Sequence, residues 1–118
     1  MKKLLITLSL ILLTGCASSE IKTGKISCDQ KNKLIENTNT VIIDVRTEDE
    51  YKTSHMENAI NIPYDEIKKE IKNKKNITKD TPIIVYCKSG KRSEQAYNTL
   101  IEEGYTKVYD LGALSNCN

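Results

Sequence analysis

The feature that most constrains the fold is a continuous run of mainly β-branched side chains, Val41-Ile42-Ile43-Asp44-Val45. Such runs are typical of strands buried on both faces of a parallel sheet. Four more short strands are predicted over residues 25–27, 59–62, 83–86 and 107–109, and helical patterns separate them. Strands that alternate with helices form βαβ units, so the sequence predicts an α/β fold in which helices cover both faces of a parallel sheet of about five strands.

Helix boundaries are marked by capping patterns. Ser27 with Gln30, and Thr47 with Glu50, have the capping-box spacing that begins a helix. The fourth predicted strand is followed by a helix with an apolar stripe, and Gly104 is suited to end that helix.

The N-terminus has the parts of a secretory signal. Lys2 and Lys3 are basic, residues 4–13 are mostly apolar, and small residues lead to Cys16. The apolar stretch is shorter than the roughly 20 residues that a membrane-spanning helix needs. The segment Leu13-Thr14-Gly15-Cys16 resembles the lipobox of bacterial lipoproteins, which implies a diacylglyceryl group on Cys16 and attachment to a membrane. The alternative is an ordinary cleaved signal that leaves a soluble exported protein.

These patterns predict a signal peptide over residues 1–15, a tether over 16–24 and one domain over 25–118. We expect a monomer in the cell envelope, held by lipid on the periplasmic or extracytoplasmic face of a bacterial membrane. The chain has 18 Lys plus Arg against 16 Asp plus Glu, and loss of Lys2 and Lys3 with the signal makes the two counts equal. A neutral domain lacks the basic field that recruits nucleic acid, so anion binding must come from a local arrangement.

Cys87 lies at the predicted carboxyl end of a strand, where functional groups gather in open α/β sheets. The backbone N–H groups of residues 88–92 and the start of the next helix can converge on its sulfur, and both favour a thiolate. Gly90 permits an unusual backbone angle, and Lys88 and Lys91 add positive charge. The pattern indicates a nucleophilic cysteine in an anion-binding loop; the alternative is a half-buried thiol that ends a strand.

Four motifs in order resemble the rhodanese family of sulfurtransferases. The loop resembles the Cys-x-x-Gly-x-Arg segment of that family, and the other three motifs flank it. They are Cys87-Lys88-Ser89-Gly90-Lys91-Arg92, Asp44-Val45-Arg46 with Glu50-Tyr51, Ser54-His55-Met56-Glu57-Asn58-Ala59-Ile60-Asn61-Ile62-Pro63, and Gly104-Tyr105 with Val108-Tyr109-Asp110-Leu111-Gly112. The resemblance spans about residues 25–114 and implies a single rhodanese-like domain.

Two departures from the family pattern stand out. Ser54 and Asn58 occupy positions where the family usually has glycine, and Asn58 can adopt a left-handed conformation. The segment after Gly112 lacks the usual apolar and aromatic ending, so a C-terminal covering helix is expected to be absent or very short.

The resemblance implies sulfur transfer through a persulfide on Cys87. Its thiolate would attack the outer sulfur of a small anionic donor such as thiosulfate and then pass the sulfur to cyanide or a thiol acceptor. Arg92 would hold the loop together against Asp44. The residues implied in substrate and anion binding are Lys88, Ser89, Gly90, Lys91, Arg92 and Ser93.

Three other functions remain open. A cysteine-based phosphatase or arsenate reductase has five residues between cysteine and arginine, whereas Ser93 occupies that spacing here and Arg92 comes one place earlier. A catalytically inactive rhodanese-like binding module is a second alternative, because fold does not determine activity. A thiol-redox protein that uses Cys87 with Cys117 is the third.

The family topology implies that Cys28 and Cys117 follow neighbouring strands on the active-site side. They are predicted either to form a disulfide or to remain free thiols in packing roles. No metal or other cofactor is expected, because His55 is the only histidine and no Cys-x-x-Cys pair exists.

Two further side chains near the site have predicted roles. His55 is predicted to cap a loop, and the alternative is a base for Cys87. Arg46 and Glu50 have the i, i+4 spacing of a surface ion pair.

Overall fold

A computed structural model describes residues 20–117, and within them the chain forms a five-stranded parallel sheet. The strands lie in the order β1-β5-β4-β2-β3. They are β1 (Gly24–Lys25), β2 (Val41–Asp44), β3 (Ile60–Asn61), β4 (Ile83–Cys87) and β5 (Val108–Ala113). The α-helices are α1 (Cys28–Leu34), α2 (Glu48–Thr53), α3 (Ile67–Glu70) and α4 (Lys91–Glu102), and 3-10 turns cover Ile71–Asn73 and Leu114–Cys117. The predicted α/β fold is confirmed.

Two apolar clusters, one on each face of the sheet, form the core. All five residues of β4 are buried, and neighbouring residues of a strand point to opposite faces. Val85 and Cys87 therefore pack with residues of α3 and α4, such as Ile67 and Leu100. Tyr86 packs in the other cluster, which the first two helices partly cover. The sheet thus separates the side chain of Cys87 from that of its neighbour.

Both predicted capping boxes are confirmed. The Ser27 side chain accepts the Gln30 N–H at 3.2 Å, and the Gln30 side chain accepts the Ser27 N–H at 2.9 Å. Thr47 and Glu50 make the same reciprocal bonds at 3.3 and 3.4 Å. Glu50 is therefore fixed at the start of α2, close to the carboxyl end of β2.

The last strand is longer than the sequence pattern predicts. β5 continues to Ala113, which pairs with Cys87. The register shifts where Val85 pairs with Asp110 and Tyr86 with Gly112, so Leu111 is the extra residue of a bulge. The apolar pattern does not reveal this extension, because Asp110 and Gly112 interrupt it. A four-residue 3-10 turn follows β5, in keeping with the expected lack of a long covering helix over this segment.

The predicted signal peptide, most of the tether and Cys16 lie outside the residues that the structure describes. Over residues 20–117, none of the helices has the length and apolar character needed to span a bilayer.

Candidate active site

Cys87 is the last residue of β4, and its sulfur accepts two backbone hydrogen bonds. The Gly90 N–H lies 3.0 Å from Sγ and the Ser93 N–H lies 3.3 Å from it. We call these two N–H groups the sulfur cradle. Cys87 is fully buried, so the sulfur cradle lies inside the loop and not on the protein surface.

The loop turns because Gly90 has a φ of +98°, a left-handed conformation that side chains disfavour. Gly90 is also the N-cap of α4 and has no side chain with which to cap it. The sulfur of Cys87 accepts the N–H of Ser93, the third residue of the helix, as a capping side chain would. The Ser93 hydroxyl donates to the Gly90 carbonyl at 3.0 Å and fixes the two ends of the cradle together. With the helix dipole behind it, this arrangement is suited to hold a negatively charged sulfur.

Arg92 braces the loop against α2, and its predicted pairing with Asp44 is wrong. Its Nη1 lies 2.6 Å from Glu50 Oε1, and its Nη2 lies 3.1 Å from Oε2. The hydrogen bond from Arg92 lowers the pKa of Glu50 to about 2, and bonds from Thr47 add to this effect against the opposing effect of burial. Arg92 is thus a two-point clamp that joins the cysteine loop to the capping box of the second helix.

Asp44 instead binds Arg46, so the predicted surface pair of Arg46 with Glu50 is also wrong. The Asp44 carboxylate is fully buried and accepts from Arg46 Nη2 at 2.7 Å and from the Tyr86 hydroxyl at 2.8 Å. Arg46 Nη2 also donates to the Ser54 carbonyl at 2.6 Å, and the Met56 N–H donates to the Tyr86 oxygen at 3.0 Å. A buried carboxylate requires this compensation, because burial without partners is costly.

The comparisons with known proteins agree with this architecture. The profile of the family described as Rhodanese-like domain matches residues 27–113. The chain belongs to the rhodanese-like domain family. A solved structure described as a rhodanese with anions from E. coli is 39% identical, with a TM-score of 0.61 over 65% of this chain and 89% of that one. The human single-domain sulfurtransferase TSTD1 shares the fold, at 21% identity and a TM-score of 0.69 over 78% of this chain and 92% of that one.

Curated relatives are much longer proteins. The tRNA uridine(34) hydroxylase of Photorhabdus laumondii is 33% identical over 92 residues, which are 75% of this chain and 26% of that protein. The protein of the same name in Yersinia pestis is 31% identical over 87 residues, covering 71% of this chain and 24% of that protein. This chain therefore spans about a quarter of the length of these relatives.

The charged rim of this rhodanese-like domain consists of lysines rather than of the loop arginine. Lys88 and Lys91 are exposed, and neither takes part in the ion pairs described among residues 20–117. Arg92 is neutralised by Glu50. The two lysines are consequently the cations of the loop that an approaching anion meets first.

His55 has a bracing contact in this rhodanese-like domain. Its Nδ1 lies 2.8 Å from the Tyr51 carbonyl, and its ring stacks on Tyr51 with centroids 3.8 Å apart. The imidazole lines a cleft with Met56 and Leu114, and Cys87 is not among the residues that line this cleft. His55 therefore makes the predicted loop-capping contact, and it does not lie where it could act as a base for Cys87.

Cys28 and Cys117 form a disulfide with their Cα atoms 5.2 Å apart. Cys117 packs against the cluster that contains Tyr86 and Leu111, on the face opposite to Cys87. The structure does not bring Cys117 to Cys87, and Cys87 is the free cysteine within residues 20–117.

Asn58 adopts the left-handed conformation expected of it, with a φ of +64°.

Proposed function

We propose that this rhodanese-like protein transfers sulfane sulfur through a persulfide on Cys87. The main support is the sulfur cradle: two N–H groups lie within 3.3 Å of a buried sulfur at the start of a twelve-residue helix. Donors fixed in this way stabilise a negative charge with no need to reorganise during the reaction.

The transfer takes two balanced steps. In the first, the Cys87 thiolate attacks the outer sulfur of thiosulfate, the S–S bond of thiosulfate breaks, and its electron pair leaves with sulfite. In the second, cyanide attacks the outer sulfur of the persulfide, which releases thiocyanate and restores the thiolate. A thiolate acceptor would take the same sulfur as its own persulfide anion. Two half-reactions on one nucleophile predict ping-pong kinetics.

The loop geometry favours a sulfur anion over a tetrahedral phosphate. Four residues separate Cys87 from Arg92, and the arginine fork is bound to Glu50 rather than directed at the sulfur. A phosphatase loop requires its arginine to contact the bound oxyanion. We therefore place phosphatase and arsenate reductase activity below sulfur transfer, and we keep an inactive binding module as the outcome if no persulfide forms.

The decisive experiment is intact mass measurement after exposure to thiosulfate. We expect one added sulfur of about 32 Da that cyanide removes, as a covalent intermediate requires. The Cys87→Ser variant should gain no mass. Lys107→Ala, which changes an exposed lysine next to the opposite end of β5, serves as the matched control and should behave like the wild type. An unmodified wild-type protein that nevertheless folds would overturn the proposal and favour the inactive binding module.

We also propose that a diacylglyceryl group on Cys16 holds the protein in the cell envelope. The support is the short apolar run that ends in Leu13-Thr14-Gly15-Cys16. Metabolic labelling with a fatty acid should mark the wild type and miss Cys16→Ala. Label on both proteins, or on neither, would rule out lipidation at this cysteine.

A further inference from the structure

The end of β5 lies beside the cysteine loop, and residues of both line one open cleft. A Cβ built on Gly90 would lie 3.7 Å from Gly112 Cα and 4.0 Å from the Ala113 nitrogen, so any side chain at residue 90 would contact the end of β5. Ala113 is also the sheet partner of Cys87. We call residues 110–117 the C-terminal wall. Because the Gly90 N–H belongs to the sulfur cradle, the wall limits where that N–H can lie.

The C-terminal wall is an irregular segment held by specific bonds. After the bulge at Leu111, Gly112 has a φ of +79°, and its N–H donates to Asp110 Oδ1 at 2.9 Å. Asn116 Nδ2 donates to the Leu111 carbonyl at 2.9 Å and closes the following turn. Bulges and left-handed turns of this kind break regular pairing, so the wall depends on its local bonds for its position.

The far end of the wall is fixed by the disulfide. Cys117 is bonded to Cys28, the first residue of α1, whose start is held by its capping box. Only three residues separate Ala113 from Cys117. The disulfide is thus the covalent anchor of the segment that lies beside Gly90, although it packs on the opposite face of the sheet from Cys87.

We propose that the Cys28–Cys117 disulfide positions the sulfur cradle through the C-terminal wall, so that sulfur transfer at Cys87 depends on the redox state of this bond. The proposal rests on the proposed function of Cys87. A dithiol reductant would supply two electrons and two protons, leave thiols at residues 28 and 117, and itself become a disulfide. The released wall would then let Gly90 shift and lengthen its bond to the sulfur.

Small displacements of groups that act on a reacting atom are costly to rate. We expect roughly a 10-fold fall in kcat for thiosulfate, with little change in KM, because the cradle acts on the sulfur charge that develops during transfer. Cys28 and Cys117 are in this sense positioning residues.

The test compares the full chain with its Cys28→Ala/Cys117→Ala variant under non-reducing conditions. A substitution is preferable to a reductant, because a dithiol would also accept sulfur from the persulfide. Ile77→Ala, which removes a buried side chain outside the wall, controls for a general loss of stability. The readouts are kcat and KM for thiosulfate and the hydrogen exchange rates of the Gly90 and Ser93 amides.

We expect faster amide exchange and lower kcat in the double variant but not in Ile77→Ala. Unchanged exchange and kcat in a folded double variant would overturn the proposal, as would equal changes in the control. If the double variant does not fold, Asn116→Ala loosens the wall with the disulfide intact and should shift both readouts in the same direction; no shift there overturns the proposal. The added mass on wild-type Cys87 tests the proposed function separately. The comparison of amide hydrogen exchange rates does not depend on that result.

Discussion

Arg92 and Glu50 lie 42 positions apart in the chain and meet in a two-point ion pair, with their closest atoms 2.6 Å apart. The pair joins the cysteine loop to the capping box of α2. Glu50 therefore connects the start of α2 to the cysteine loop.

The first prediction concerns pH and Glu50. Its pKa falls from an ordinary 4.5 to about 2 in the folded protein, so the ion pair stabilises the fold fully above about pH 4.5. This contribution is lost as pH falls from there toward 2. The difference in unfolding free energy between wild type and Glu50→Gln should therefore be constant near neutrality and shrink across that interval, as measured by urea denaturation at each pH. A difference that does not change with pH would contradict the lowered pKa.

The second prediction uses two glycines with the same strain. Gly90 and Gly104 have φ values of +98° and +92°, so alanine at either should lower the free energy of unfolding by about 1–2 kcal/mol. An added Cβ at Gly90 would meet the C-terminal wall, and Gly90 donates to Cys87, whereas a Cβ at Gly104 meets nothing within 4 Å. Gly90→Ala should slow thiocyanate formation at least several-fold, and Gly104→Ala should leave the rate unchanged. Equal rates of thiocyanate formation in the two variants would show that the loop geometry at Gly90 does not affect catalysis.

The third prediction concerns the buried network on the other face. Tyr86→Phe removes a hydrogen bond to Asp44 and leaves the Met56 N–H without its acceptor, which should cost about 1–2 kcal/mol of unfolding free energy. Sulfur transfer should persist, because Tyr86 and Cys87 face opposite sides of the sheet. Tyr105→Phe, whose ring lies 4.1 Å from the Lys79 ammonium, is the control and should change stability less. Denaturation curves and thiocyanate assays measure the two effects.

The fourth prediction concerns stability and the disulfide. The bond joins residues separated by 89 positions, so its loss should lower the free energy of unfolding by about 3–5 kcal/mol. Denaturation of the Cys28→Ala/Cys117→Ala protein measures this value. Peptide mapping of the non-reduced wild type should recover the Cys28–Cys117 crosslink, and a map without it would remove the basis of the prediction.

The fifth prediction tests whether Lys88 and Lys91 attract the anionic sulfur donor or act in the transfer step. Replacement of Lys88 and Lys91 by glutamine should raise KM for thiosulfate a few-fold and weaken its dependence on salt, with a smaller effect on kcat. Lys107→Gln should change neither parameter. A fall in kcat without a change in KM would assign the lysines to the transfer step itself.

Local patterns predicted much of this molecule. The run Val41-Ile42-Ile43-Asp44-Val45 predicted β2 because its four β-branched residues favour a strand buried on both faces, and the two capping boxes located the starts of α1 and α2. The place of Cys87 at the end of β4 was predicted from the alternation of strands and helices along the chain. These features depend on residues near one another in the chain.

The partners of the arginines could not be read in this way. Arg46 has acids at four nearby positions, Asp44, Glu48, Asp49 and Glu50, and only the burial of Asp44 decides among them. That choice leaves Glu50 for Arg92, which comes from a distant part of the chain. The extension of β5 was missed for a related reason, since the bulge at Leu111 depends on pairing with β4.

The sulfur of Cys87 also caps the start of a helix, because it accepts the Ser93 N–H where α4 has no capping side chain. Each change of the sulfur in the proposed transfer therefore alters the acceptor of the Ser93 amide proton, as it does that of Gly90. The backbone resonance of Ser93 becomes a spectroscopic reporter of the proposed persulfide, and an NMR titration with thiosulfate can follow its formation from the start of the helix without any label on the substrate.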